Sequence, residues 1–145
     1  MEAGASVTLH KPTLCIDFDG VIHSYHLGWN DGTLYGTVLP GFFEWARQAD
    51  QQFRLVIYSS RSSTIEGRLM MHQWLMGKYA EWLMAQGDRD LVMPLQVAFE
   101  HKKPLAFLTI DDRCVQFMGD WNDPGLSPQE LLAFKPWNGR RENSG

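Results

Sequence analysis

The stretch TLCIDFDGV, residues 13–21, is an apolar run that meets acids only at its end, at Asp17 and Asp19, before Gly20 breaks it. A run of this kind, closed by a turn residue, is the pattern of a central strand buried on both faces of a parallel sheet. Side chains alternate along an extended chain. Asp17 and Asp19 are therefore expected on the same side, flanking one reacting group.

Outward from this strand, residues 22–39 are rich in Gly, His, Trp, Tyr and Asn and carry the turn signal Asn30-Asp31-Gly32. They are expected to form a loop or small hairpin, the natural flap over the strand's end. Pro40 opens a helical pattern to about Asp50 with Phe42, Phe43 and Ala46 on one side. The run FRLVIYSS, residues 53–60, is β-branched enough for a second strand. From Ser63 to about Ala85, Ile65, Leu69, His72, Leu75, Tyr79, Trp82 and Leu83 recur at helical spacing, with Gly67 and Gly77 as candidate break points. The pair Gly87-Asp88 closes that stretch, and short strands are expected at 95–99 and 105–110. Near the end, Ser127-Pro128-Gln129-Glu130 reads as a capping box opening a short helix, with Leu126 placed to pack on Leu131, and residues 138–145 should fray.

Strands alternating with helices predict one α/β domain over residues 1–145, a three-layer, Rossmann-like parallel sheet with helices on both faces. The length of 145 residues suffices for one core, and 44% apolar with 21% charged residues is an ordinary globular mixture. A net charge of -4 argues against holding nucleic acid mainly through counterion release. Cys15 and Cys114 lie in or beside expected strands without C-x-x-C spacing, which reads as reduced core thiols of a cytoplasmic protein. No leader-like or membrane-length apolar segment appears, so no membrane partner is expected. His23 and His26 lack a third His or a Cys to complete a zinc set and read as surface loop residues.

In open α/β sheets ligands bind beyond the carboxyl ends of the strands, so the residues that end each strand matter most. They are Asp17 and Asp19, then Ser59, Ser60 and Arg61, then Lys102 and Lys103 before the last strand, and Asp111 and Asp112 after it. Two unit charges 4 Å apart interact by about 4 kcal/mol at an effective dielectric near 20, so such an acidic cluster would repel a phosphate unless a cation joined it. Mg2+ prefers a few carboxylate oxygens together with water and phosphate, which is the set on offer.

The ordered motifs DFDGV, VIYSS, KKP and TIDD resemble those of the haloacid dehalogenase (HAD) superfamily, over residues 13–113. The resemblance implies a Mg2+-dependent phosphatase. Asp17 would be the nucleophile, ionised at neutral pH, and Asp19 the general acid and base. Ser59 would bind the phosphoryl group, and Lys103 rather than Lys102 would offset its charge. Gly20, Ser60 and Arg61 would join the substrate site, Arg61 alternatively pairing with Asp111 or Glu66. The metal would be held by Asp17, Asp19 through its backbone carbonyl, and Asp112, with Asp111 orienting Lys103 or a bound water.

The gaps between motifs leave no room for a large cap domain. The site is then open to a nucleotide, a nucleic-acid end or another phosphorylated small molecule, or is covered by a partner subunit in a homo-oligomer. Trp29, Tyr35, Trp121 and Trp137 are core aromatics or the lining of the substrate mouth. Val21, two beyond Asp19, stands where the protein-phosphatase branch carries Thr, which favours small molecules or nucleotides over phosphoproteins. The rival readings are a receiver-like signalling domain and a Mg2+-binding interaction module without catalysis; a receiver resembles this set but with its acidic pair on the first strand and a lone Asp on the third.

Overall fold

The computed structural model describes residues 10–87 and 94–139. Four strands, β1 (Thr13–Ile16), β2 (Arg54–Ile57), β3 (Ala98–Phe99) and β4 (Leu108–Ile110), form one parallel sheet in the order β3-β2-β1-β4. The helices are α1 (Phe42–Ala49), α2 (Ile65–Ala85) and α3 (Pro128–Leu132). Residues 13–57 read as strand, loop, helix, strand, and that order is what forms. The strands are shorter than the apolar runs: β1 stops at Ile16 and β2 at Ile57, where the N–H groups of Asp17 and Tyr58 make the last bonds between strands, to the Ile110 and Ile16 carbonyls. Among the described residues, no helix is long and apolar enough to cross a membrane.

Leu14 and Ile16 of β1 pair with Leu55 and Ile57 of β2 and share one face of the sheet. Phe42, Phe43 and Ala46 of α1 and Met71, Leu75, Tyr79 and Leu83 of α2 bury against it. The helices also touch each other, the Phe43 ring lying 5.3 Å from Tyr79 and 5.7 Å from Trp82. Each of the Leu, Ile, Phe and Met side chains among them stabilises the fold by about 1.5–3 kcal/mol when fully buried.

Both long helices therefore lie on one face, not on two as alternation alone predicts. The chain lays down β1, β2 and β3 in one direction across the sheet, so right-handed crossovers return both helices to the same side. The step from β3 to β4 is the one that would carry a helix to the other face. Residues 100–107 make that step, from a Glu100 N–H bond to the Ile57 carbonyl to a Phe107 N–H bond to the Thr13 carbonyl. They are fewer than the dozen or so that a helical crossover takes. This connection passes over the Cys15 side of the sheet, where Lys103 and Cys15 line one cleft, while α3 buries none of its residues.

Other expectations shift locally. α1 begins at Phe42 because Gly41 before it holds a left-handed backbone with φ 86°, leaving Pro40 in the turn. α2 is continuous through Gly67 and Gly77. Gly67 serves packing instead, since a Cβ there would run into the Arg61 carbonyl. The buried stripe of α2 runs through Met71, Leu75, Tyr79 and Leu83, whereas Ile65 and Leu69 are exposed, because its first turns lean on the Ser60–Ser63 turn rather than on the sheet. The expected helix start at Ser127 forms, with the Glu130 N–H donating to Ser127 Oγ. Cys15, expected with Cys114 as a core thiol, is buried, but Cys114, beyond the end of β4, is exposed. Asn138, expected to fray, donates to the Ser24 carbonyl; residues 140–145 and Asp88 lie outside the described residues.

Candidate active site at the carboxyl ends of the strands

The end of β1 is shaped by a tight turn around the fully buried Phe18. Its carbonyl accepts from the N–H groups of Val21, Ile22 and His23, and Gly20 takes the positive φ of 82° that this curl requires. The Phe18 N–H donates to Asp17 Oδ1 at 2.8 Å, which fixes the carboxylate at the strand end. Beside it, β4 delivers Asp111 and Asp112. One carboxylate oxygen from each of Asp17, Asp111 and Asp112 lies within 4.8 Å of the others.

Asp17 also lines a cleft of about 120 Å³ with Ser59, Ser60, Lys103 and Asp111. Four separate chain segments meet there, and Lys103, not Lys102, is the ammonium that reaches it. Ser59 is buried and caps the Ser60–Ser63 turn, its Oγ accepting from the Arg61 N–H at 3.1 Å. Ser62 reciprocates with a hydrogen bond from the Ser59 N–H. With its oxygen used as acceptor, the Ser59 hydroxyl proton is left to donate.

The electrostatics differ from the sequence expectation of an ionised Asp17. Burial, then the Asp111 charge, and also Asp112 push the Asp17 carboxyl up to about 8, against the opposing bond from the Phe18 N–H. Burial and the neighbouring Asp111 and Asp112 charges thus favour the protonated form of Asp17 where no cation offsets them. Asp111 stands nearer the centre of this interaction than the outer role expected of it, and its Oδ1 accepts from the Arg113 N–H.

Asp19 faces a different set of partners. Its Oδ2 accepts from Arg61 Nε at 2.8 Å and its Oδ1 contacts His23 Nδ1 at 2.9 Å. The Gly36 N–H donates to His23 Nε2, so the ring proton sits on Nδ1 and is given to Asp19. Arg61 pairs with neither Asp111 nor Glu66. It is buried, donates Nη1–H to the Gly32 carbonyl, and stacks over Trp29 at 4.6 Å, while its Nη2 is buried without a hydrogen-bond partner. Gly20 is likewise engaged, its N–H donating to the His23 carbonyl and its own carbonyl accepting from Trp137 Nε1.

His23, expected at the surface, is fully buried. Its neighbours are the rings of Phe18, Tyr35 and Trp74. The only sequence signal for it is the four-residue step from Asp19, which the turn at Phe18 converts into contact. His26 does lie exposed. The 22–39 loop is less a free flap than a tethered one, pinned by buried Ile22, His23 and Tyr25 and closed by an antiparallel bridge between His23 and Val38. Trp29, Trp121 and Trp137 are exposed and so do not belong to the core. Set against models of known protein families, curated proteins and solved structures, the chain matches none.

Proposed function

We propose that this protein is a Mg2+-dependent phosphomonoesterase that works through an aspartyl-phosphate on Asp17, as the HAD-like motif order implies. The observation that carries this reading is a cluster of three carboxylates within 4.8 Å, two of which, Asp17 and Asp111, line a cleft together with Ser59 and Lys103.

The donor set fits a hard divalent cation. Three carboxylates from Asp17, Asp111 and Asp112 supply oxygen ligands, and an ion there would offset both causes of the upward push on Asp17, its burial first and then the Asp111 charge. Bound there, the ion supplies charge neutralisation toward a phosphate. Lys103 adds a second positive charge, and the Ser59 O–H donates to a non-bridging phosphoryl oxygen.

Asp19, released from Arg61, first takes up a proton from solvent; the Asp17 carboxylate then attacks phosphorus while the bond to the leaving oxygen breaks, and that oxygen takes the proton from Asp19. Water then attacks the phosphorus of the aspartyl-phosphate, Asp19 takes the water's proton, and phosphate departs with Asp17 restored. Asp19 enters this cycle only when its contact with Arg61 or His23 gives way. The cleft volume equals roughly four water molecules' share of the liquid. A cleft of about 120 Å³ suits a phosphoryl group with the esterified part outside it, as in a small phosphate ester, a nucleotide or a nucleic-acid end.

One observation favours a second reading. With both Asp19 oxygens engaged, a domain that accepts a phosphoryl group on Asp17 and holds it, as a receiver-like module does, needs no general acid. Steady-state hydrolysis of an aryl phosphate separates the two. Sustained, chelator-sensitive phosphate release that Asp17→Asn abolishes is expected. Release that survives that substitution refutes both readings, and a stable phospho-protein formed from a small acyl phosphate without turnover supports the second.

A further inference from the structure

We infer that β4 is a self-association edge, across which a second copy of this chain pairs to continue the sheet. The strand is bonded to β1 on one side, and among the described residues no strand pairs with its other side. The bond from the Asp17 N–H to the Ile110 carbonyl turns Ile110 and Leu108 toward β1, so the backbone N–H and C=O of Thr109 between them point outward.

Edges of this kind are normally blunted by a charge, a proline or a bulge. Residues 105–110, LAFLTI, carry no charge and no proline. They are also uncovered: Leu105 is 100% exposed, Phe107 67%, Leu108 57% and Ile110 40%. Beside Ile110 runs an apolar groove of about 290 Å³ lined by Ile16, Leu39, Phe42 and Trp45. The exposed parts of Leu105, Phe107, Leu108, Ile110 and Trp45 come to roughly 600 Å² when each large side chain is taken as about 200 Å². A stable interface uses about 800 Å² per partner, and a solitary monomer rarely exposes a patch above several hundred. Thr109, exposed between Leu108 and Ile110, adds to this area.

The geometry selects a second copy as occupant. A two-fold axis through Thr109 sets two β4 strands antiparallel, so that Thr109 exchanges both backbone bonds with its counterpart and Leu108 of each copy lies opposite Ile110 of the other. No like charges meet within the paired strands. The same operation joins two four-stranded sheets into one and continues the α1-side apolar face across the junction.

Sedimentation velocity of the full chain over a micromolar series tests this, with Leu108→Glu, Thr109→Pro and the control Trp121→Ser. Leu105→Glu changes a side chain that touches nothing in the single chain and so remains informative if another variant fails to fold. The expected result is a dimer whose dissociation constant rises at least tenfold in Leu108→Glu, Thr109→Pro and Leu105→Glu and is unchanged in Trp121→Ser. A wild-type monomer throughout the series overturns the inference. So does a dimer that survives the β4 substitutions or is broken by the Trp121 change instead. None of these outcomes depends on whether the protein hydrolyses phosphate.

Discussion

Replacing Asp17 by Asn tests the electrostatics of the acidic cluster without any assumption about substrate. Asn keeps the shape of the side chain and never ionises. In the folded protein Asp17 is pushed up to about 8 from an ordinary 3.8, first by burial and then by Asp111, so folding favours its protonated form. The contribution of such a group is fully present below the unfolded pKa and is lost as pH rises through the folded one. The shift corresponds to at most about 6 kcal/mol above about pH 9. Coulomb's law gives a compatible scale, about 3 kcal/mol per neighbouring carboxylate at 4.8 Å and an effective dielectric of 20, less for the exposed Asp111. With a chelator present, Asp17→Asn should therefore be close to wild type in stability near pH 4 and more stable by several kcal/mol near pH 9, a difference in Tm on the order of 10 °C. Thermal unfolding followed by circular dichroism across this range measures it. Millimolar Mg2+ should raise the wild-type Tm at high pH far more than that of the variant. A stability difference that stays flat with pH, or a variant less stable than wild type at high pH, would refute the account of the cluster.

Arg61 and Asp19 form a buried pair, so Arg61→Met, which strands the Asp19 charge beside His23, should cost about 3–5 kcal/mol in denaturant unfolding; a loss below 1 kcal/mol would mean the pair is solvated. Thiol labelling of the native protein should modify exposed Cys114 rapidly and buried Cys15 only on unfolding, since burial also raises the Cys15 thiol and reduces its thiolate. Equal rates for the two would contradict the packing of β1.

The motif residues were legible because a parallel sheet gathers its strand ends on one edge: Asp17, Ser59 and Asp111 follow the apolar runs of β1, β2 and β4, and Lys103 comes soon after β3 ends at Phe99, so all four reach one cleft. The pattern of apolar residues likewise specified α1's buried face and the cap at Ser127, both local matters of period and hydrogen bonding. The partners of Asp19 were not legible. Arg61 is 42 residues away in sequence, and His23 turns inward only because Phe18 anchors the curl that carries it.

Sequence by itself determined the α/β class, the strand ends and the acidic cluster, because hydrophobic period and turn residues act locally and strand ends converge in any parallel sheet. Tertiary structure alone decided which face the helices cover, the bracketing of Asp19 by His23 and Arg61, the upward push on the Asp17 carboxyl and the exposure of β4. Each of these depends on distances between segments remote in the chain, where burial and Coulomb interactions act and sequence spacing is silent.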